Sequence, residues 1–338
     1  MSGTSVQERR RPPVIAVVAL LTAVLTVLLI AFAWPATRSK ARDVPIGVAG
    51  PAAAIAPLGA ELKQNVPGAF ELHVYDDRAA AVAAIQDREV YGAIVAGPSG
   101  PEMLTASAGS PAVAQILGQL ASRITADQPG AKPATVTDVV PLPSDDPRGA
   151  GLAAGALPLV LGGILAAVLL TRFVPSGVRR IAGAGAFAIT GGLALTAVLQ
   201  YWLGAVRGDY WANSGVIALS IAATSITILG LEWLLGAVGL GLGAATMMLL
   251  GNPLSGLTSA PEMLPTGWGA LGQLLPPGAA GTMLRSVAFF DGAALTKPLL
   301  VLCSWLAAGL LLSAFAALRD RPRRPLAQVR PLATDPAA

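Results

Sequence analysis

Apolar residues in this chain come in long unbroken blocks, at 14–33, 152–174, 181–206, 214–251 and 301–318. A run of 18 or more apolar residues is what a hydrocarbon core about 30 Å thick requires of a helix. The block at 214–251 is 38 residues long with one charge, Glu232. As a single helix it would extend about 57 Å, nearly twice the core. It is therefore expected to fold back as two short spans that turn near residues 232–236, which brings the expected total to six. The first block follows Arg9, Arg10 and Arg11 and is longer than a signal-peptide core. It reads as an uncleaved anchor, although Ala31-Phe32-Ala33 weakly resembles a cleavage site.

Two polar-patterned regions interrupt the blocks. Residues 44–142 alternate strand and helix signals: strands at 44–48, 70–75, 91–96 and 134–140, and helices at 53–65, 78–88 and from Ser110 or Pro111 to Asp127. Asp76 or Asp77 is placed to cap the second of these helices. The region reads as a compact α/β domain. Residues 251–297 are too long for a turn and are broken by Pro253, Pro261, Pro265, Pro276 and Pro277. Within them Ala280, Met283, Leu284, Val287 and Phe290 recur at helical spacing, with Arg285 and Asp291 off that stripe. Such a pattern predicts short helices lying at, or dipping into, the outer interface.

Composition agrees with lipid as the main solvent. Charged residues make up 12% of the 338 positions and hydrophobic ones 54%, against about 25% charged in soluble domains. The net charge of +4 conceals a split, because residues 43–150 carry a net −6 and the remainder +10. The basic excess lies beside apolar blocks, so it reads as cytoplasmic anchoring charge and not as a nucleic-acid surface. Arg172, Arg179 and Arg180 between the second and third blocks, and the arginines from Arg319 onward, fall on one side only with six spans. The expected protein is therefore a multi-pass α-helical protein of the cell membrane with both termini cytoplasmic. Its parts are an N-terminus with helix 1 (1–34), an external α/β domain between helices 1 and 2 (35–151), helices 2–6 (152–318) with a re-entrant or interfacial segment (251–297) before helix 6, and a basic tail (319–338).

Catalytic chemistry is sparse. No Gly-x-x-x-x-Gly-Lys-Ser/Thr phosphate loop, His-Glu-x-x-His or Gly-x-Ser-x-Gly occurs, and there is one histidine and one cysteine. His73 alternates with Leu72 and Val74 as a sheet-surface residue, and Cys303 lies in an apolar run. Asp145-Asp146-Pro147 reads as a linker turn, with a calcium site as the rival. No enzyme activity, cofactor or metal is expected of this chain. The polar residues in the apolar blocks are candidates instead. Glu232 has three readings: an interfacial turn, a contact pairing two helices, or a proton or substrate site. Thr224 and Ser225 either bond within their own helix or face a substrate. Gly155, Gly162, Gly163, Gly191, Gly192, Gly239, Gly241 and Gly243 permit close helix approach, including approach of a second copy.

One span, an external α/β domain and then five spans with a helical segment before the last resembles the type-2 ABC exporter permeases, and among them the YhgE/Pip-like membrane proteins. Ala79-Ala80-Ala81, Ile85-Gln86 and Val90-Tyr91-Gly92-Ala93-Ile94-Val95 are similar to their external-domain pattern. Gly251-Asn252-Pro253-Leu254-Ser255-Gly256, Leu264-Pro265, Trp268, Leu275-Pro276 and Leu284-Arg285 are similar to their segment before the last span. The resemblance implies a homodimeric permease subunit that exports an amphipathic or lipid-like substrate and is energised by a separate cytoplasmic ABC ATPase. It makes Arg172, Arg179 and Arg180 a candidate coupling loop, and Asn252, Pro253, Pro265, Trp268 and Arg285 a candidate re-entrant segment. The alternative is a non-transporting scaffold or receptor whose external domain binds a partner.

Overall fold

The computed structural model describes residues 13–97, 100–126 and 134–319. Arg9–Arg11 and the tail beyond Arg319 lie outside the described residues. Helix α1 (Val14–Thr37) leads into a domain of five strands and three helices: β1 (Val44–Ala49), α2 (Ala52–Asn65), β2 (Phe70–Tyr75), α3 (Arg78–Gln86), β3 (Gly92–Gly97), β4 (Gly100–Thr105), α4 (Pro111–Ala126) and β5 (Thr135–Asp138). The sheet order is β2-β1-β3-β4-β5. β1 pairs in parallel with β2 and β3, β3 antiparallel with β4, and β4 in parallel with β5. Strand β4 had no counterpart in the sequence reading, because Gly100-Pro101 masks its start; it is one arm of a hairpin with β3. Asp77 caps α3 by accepting from the Ala80 amide at 2.8 Å.

Alternating side chains of the central strands face two cores, as a sheet covered on both sides requires. Val44, Ile46, Val48, Ile94 and Met103 point to the face covered by α2 and α4. Ala49, Ala93 and Leu104 point to the face covered by α3. Each core also takes residues from far along the chain: Ala260 and Met263 complete the first, and Phe290 the second.

After the domain come α5 (Ala150–Phe173), α6 (Gly177–Ala197) with a π-turn Val198–Trp202, and α7 (Tyr210–Leu235). Asp146 starts α5 by accepting from the amides of Ala150 and Gly151 at 2.8 and 2.7 Å. Its carboxylate thus serves a helix start. The chain reverses at Gly236 (φ 67°), a left-handed position suited to glycine. It returns as α8 (Ala237–Ala245) and a π-turn Thr246–Gly251. A 3-10 turn Pro261–Met263, then α9 (Trp268–Gln273), α10 (Pro276–Phe289) and α11 (Thr296–Arg319) follow.

Among the described residues five helices are long and apolar enough to cross a membrane: α1, α5, α6 with its π-turn, α7 and α11. The turn expected near residues 232–236 is present. The returning limb Ala237–Gly251, however, is 15 residues, or about 22 Å at 1.5 Å per residue, and falls short of the core thickness. Asn252-Pro253 and the prolines beyond it stop the limb there. Five spans by length, not six, is the count the helices give.

Helix α7 is the centre of the body, with 72% of its most apolar window buried against 28% for α5 and 22% for α6 and α11. Two glycine contacts explain how the neighbours approach it. A Cβ on Gly192 of α6 would lie 2.7 Å from the Ser214 carbonyl oxygen, and one on Gly309 of α11 would lie 2.6 Å from the Thr227 amide nitrogen. Gly192 is therefore consumed inside the protomer and is not free to contact a second copy. Helix α1 is the opposite case: none of its most apolar window is buried.

Helix α10 departs from the interfacial expectation. It is buried on nearly every side, with Ala279, Leu284 and Ser286 at 0–1% exposure, packed on α7, α11, α5 and the sheet domain. Its many small residues make this possible, since a helix apolar all round belongs in an interior. Arg285, read as lying off the apolar stripe, is buried with the rest at 6% exposure.

Candidate functional site

The sequence candidates fall in three separate places. At the end of the body holding the α5–α6 turn, Arg172 and Arg179 are exposed. Arg180 turns inward: its Nε donates to the Val174 carbonyl at 2.7 Å and its Nη1 to Glu232 Oε2 at 2.8 Å. The Arg180 and Glu232 side chains keep only 17% and 15% of their surface. Glu232 is thus the acid of an ion pair that fastens α6 to α7, close to the reversal at Gly236. The pairing reading of Glu232 is the one the geometry displays. It also divides the candidate coupling loop into one arginine held in an ion pair and two, Arg172 and Arg179, that form none among the described residues.

Midway along α7, Ser225 donates within its own helix to the Ile221 carbonyl at 2.7 Å. Thr224 packs against α5, where a Cβ on Gly163 would come within 2.7 Å of its methyl. Thr227 donates across to the Trp305 carbonyl of α11 at 2.8 Å. Of the three, the Thr227 hydroxyl joins two helices, Ser225 bonds within its own, and Thr224 packs through its methyl.

The third place is where the sheet domain meets residues 251–297. Asn252 follows the π-turn, and its carbonyl accepts from Ser255 Oγ at 2.8 Å. Trp268 meets Trp34 of α1 edge to face at 5.5 Å. Arg285 donates to the Leu257 carbonyl from inside the body. Three segments of the domain side, at 40–42, 88–91 and Ser110, grip this stretch. Lys40 N donates to the Met263 carbonyl at 3.0 Å, and Arg42 Nη1 to the Met263 and Leu264 carbonyls at 3.0 Å. Arg88 Nη1 donates to Thr282 O at 2.9 Å and Ser286 Oγ at 2.7 Å, with its guanidinium 5.1 Å from the centre of the Phe290 ring. Tyr91 donates to Glu262 Oε2 at 2.9 Å, and Ser110 to the Ser259 carbonyl at 2.9 Å. Arg88 reaches its partners from a left-handed backbone position, φ 62°, unusual for a side-chain-bearing residue.

A cavity of about 510 Å³ opens at this junction, lined among others by Arg42, Arg88, Tyr91, Glu262, Pro265 and Lys297. Burial pushes the Tyr91 hydroxyl well above the ordinary tyrosine value, and the Glu262 carboxylate adds to the rise. Burial lowers the Arg88 guanidinium from its ordinary value, opposed by Tyr91 and Glu262. Of the lining residues only Pro265 was among the sequence candidates. A signal was available: residues 251–297 contain four ionisable groups, Glu262, Arg285, Asp291 and Lys297, and charge in so apolar a stretch needs a partner. That the partner of Glu262 is Tyr91, 171 residues earlier, is set by tertiary packing. Among the described residues no cluster of His, Cys, Asp or Glu is placed to hold a metal ion.

Searches of protein families, of characterised proteins and of solved structures find no match to this chain.

Proposed function

We propose that the chain is the permease subunit of an ABC-type exporter for an amphipathic or lipid-like substrate, working as a homodimer with a separate cytoplasmic ATPase. In this reading the limb Ala237–Gly251 serves as a short sixth pass, which puts the α5–α6 turn and the arginine-rich tail on the cytoplasmic side. The sheet domain then stands outside. Trp233 and Trp211 bracket α7 about 33 Å apart at 1.5 Å per residue, the spacing of the two aromatic belts of a bilayer. The observation that carries the proposal is the junction itself. A short limb ends in a buried helix, α10, that packs at once on the central helix and on the external domain. A plain anchor for a receptor domain needs no such buried return. Helix α1, apolar and with none of its most apolar window buried in the protomer, is the face left for lipid and a second copy.

The test is isolation of the chain from native membranes with its bound partners. An ATPase that co-isolates, and whose recovery falls in the Arg172→Gln/Arg179→Gln variant while expression stays normal, is the expected result. That pair is chosen because Arg180 is already engaged by Glu232. Purification without any ATPase would refute the exporter and favour the scaffold or receptor.

A further inference from the structure

The junction cavity is lined by more positive charge than negative. Three cations line it: Arg42, Arg88 and Lys297. Among the described residues none of them has a carboxylate within ion-pair distance, since the pairs formed are His73–Glu71, Arg78–Glu102 and Arg180–Glu232. Arg285, 94% buried just behind the wall, is likewise held only by a backbone carbonyl. The acids on the lining are Asp43 and Glu262, so three cations face two acids and the balance is positive by one charge, with Glu262 also accepting from Tyr91. Arg42 and Arg88 are held by carbonyl and hydroxyl acceptors and by no direct carboxylate bond, so an incoming phosphate or carboxylate would add charge-assisted bonds to a site of positive balance.

A second observation says what kind of anion. Gly267 and Gly269 on the cavity lining flank Trp268, which meets Trp34 near the C-terminal end of α1. Tryptophans of this kind sit at headgroup level. Further along α1 lies an entirely apolar groove of about 460 Å³, formed by Val24 and Val27 of α1, Leu161 and Ile164 of α5, and Met248 and Leu249 of the short limb. Leu28, the groove residue nearest the tryptophan, is six positions from Trp34, or about 9 Å along the helix. A cation-lined cavity at headgroup height and an apolar groove at chain depth thus share one helix. We infer that the two form a site for an anionic amphiphile, with its head among Arg42, Arg88 and Lys297 and its chain along α1. The site rests on the membrane placement of the helices and not on an ATPase, so it can fail or stand independently of the exporter reading.

The full-length protein, purified and stripped of lipid, is titrated with phosphatidylglycerol and phosphatidylcholine of identical chains and with inorganic phosphate, and bound species are counted by native mass spectrometry. The expected result is a preference for the anionic lipid of about tenfold, the scale of one charge-assisted contact. Arg42→Gln/Lys297→Gln should abolish the preference and leave phosphatidylcholine binding unchanged. Val24→Trp, which fills the groove, should weaken both lipids alike. Lys297→Gln alone, at an exposed position, supplies the measurement if the double variant does not fold. Equal binding of the two lipids by the native chain overturns the inference. So does inorganic phosphate that displaces the anionic lipid completely with no effect of Val24→Trp, because the site would then take a free anion.

Discussion

Removing either partner of the Arg180–Glu232 pair should loosen the contact between α6 and α7 by an amount that geometry bounds. The charges approach to 2.8 Å with side chains 17% and 15% exposed. At an effective dielectric near 20, unit charges about 4 Å apart attract by about 4 kcal/mol before desolvation is charged against them. Exposed pairs retain about 0–1 kcal/mol of this, and stranding one member of a fully buried pair costs about 3–5 kcal/mol. A pair this occluded lies between those limits. Arg180→Gln or Glu232→Gln alone should therefore cost about 2 kcal/mol. The double variant should cost less than the sum, because the stranded charge is gone, with a coupling of about 1–2 kcal/mol. The Arg180 bond to the Val174 carbonyl at 2.7 Å makes Arg180→Gln the more damaging single change. Equilibrium unfolding in mixed detergent micelles measures all four corners of the cycle. Strict additivity would show that the two groups do not interact across the helices.

Three further outcomes are expected. Single cysteines at Ser122 and Val178, in a Cys303→Ser background, should react from opposite faces of the membrane; reaction of both from one face would remove the six-pass arrangement. Gly192→Leu should destabilise the protomer by at least about 3 kcal/mol through overpacking against Ser214 and Ala218, and if it only weakened self-association in native cross-linking, the packing of α6 on α7 would be wrong. Tyr91 is held protonated in the folded state, its pKa raised above the unfolded value near 10. The folded chain therefore binds more protons in that range, so its contribution is complete below about pH 10 and is lost as pH rises beyond it. Tyr91→Phe should flatten that alkaline decline in thermal stability while costing about 1 kcal/mol at neutral pH; an unchanged alkaline profile would mean Tyr91 does not titrate against folding.

Much of the architecture was legible because its signals are local. Block length marked α1, α5, α6, α7 and α11, and the excess length of the fourth block required a turn that Gly236 supplies. Alternation located β1 and β2 to within a residue, and Asp77 caps the helix it was placed to cap. What stayed hidden depends on distant contacts. The 15-residue limb looks like a span in composition, and only the break at Asn252-Pro253 shows where it ends. The helical stripe Ala280, Met283, Leu284 and Val287 is the same whether one face or every face is covered, so periodicity could not distinguish an interfacial helix from the buried α10. Arg88 carries no sequence mark of its role; its reach into Ser286 follows from a left-handed turn and from a neighbour 198 positions away.

That interlock also fixes where this molecule can move. Displacing the sheet domain from the body would break the bonds of Arg42, Arg88, Tyr91 and Ser110 together and expose the core positions filled by Met263 and Phe290. The six bonds these four residues make across the junction, each worth about 0.5–1.5 kcal/mol and more where charged, act in one cooperative unit with the apolar contacts. The domain, residues 257–290 and α7 should therefore shift as a single piece. The element least tied to that piece is α1, held to the rest chiefly at the π-turn Thr246–Gly251, whereas the limb beyond Gly236 packs on α7 through Gly239 and Gly243. Widening of the apolar groove is consequently expected from motion of α1, which breaks no bond of Arg88 or Glu262. A head bound at the junction can stay in place while its chain is released to the bilayer, an order of events that follows from which contacts are many and which are few.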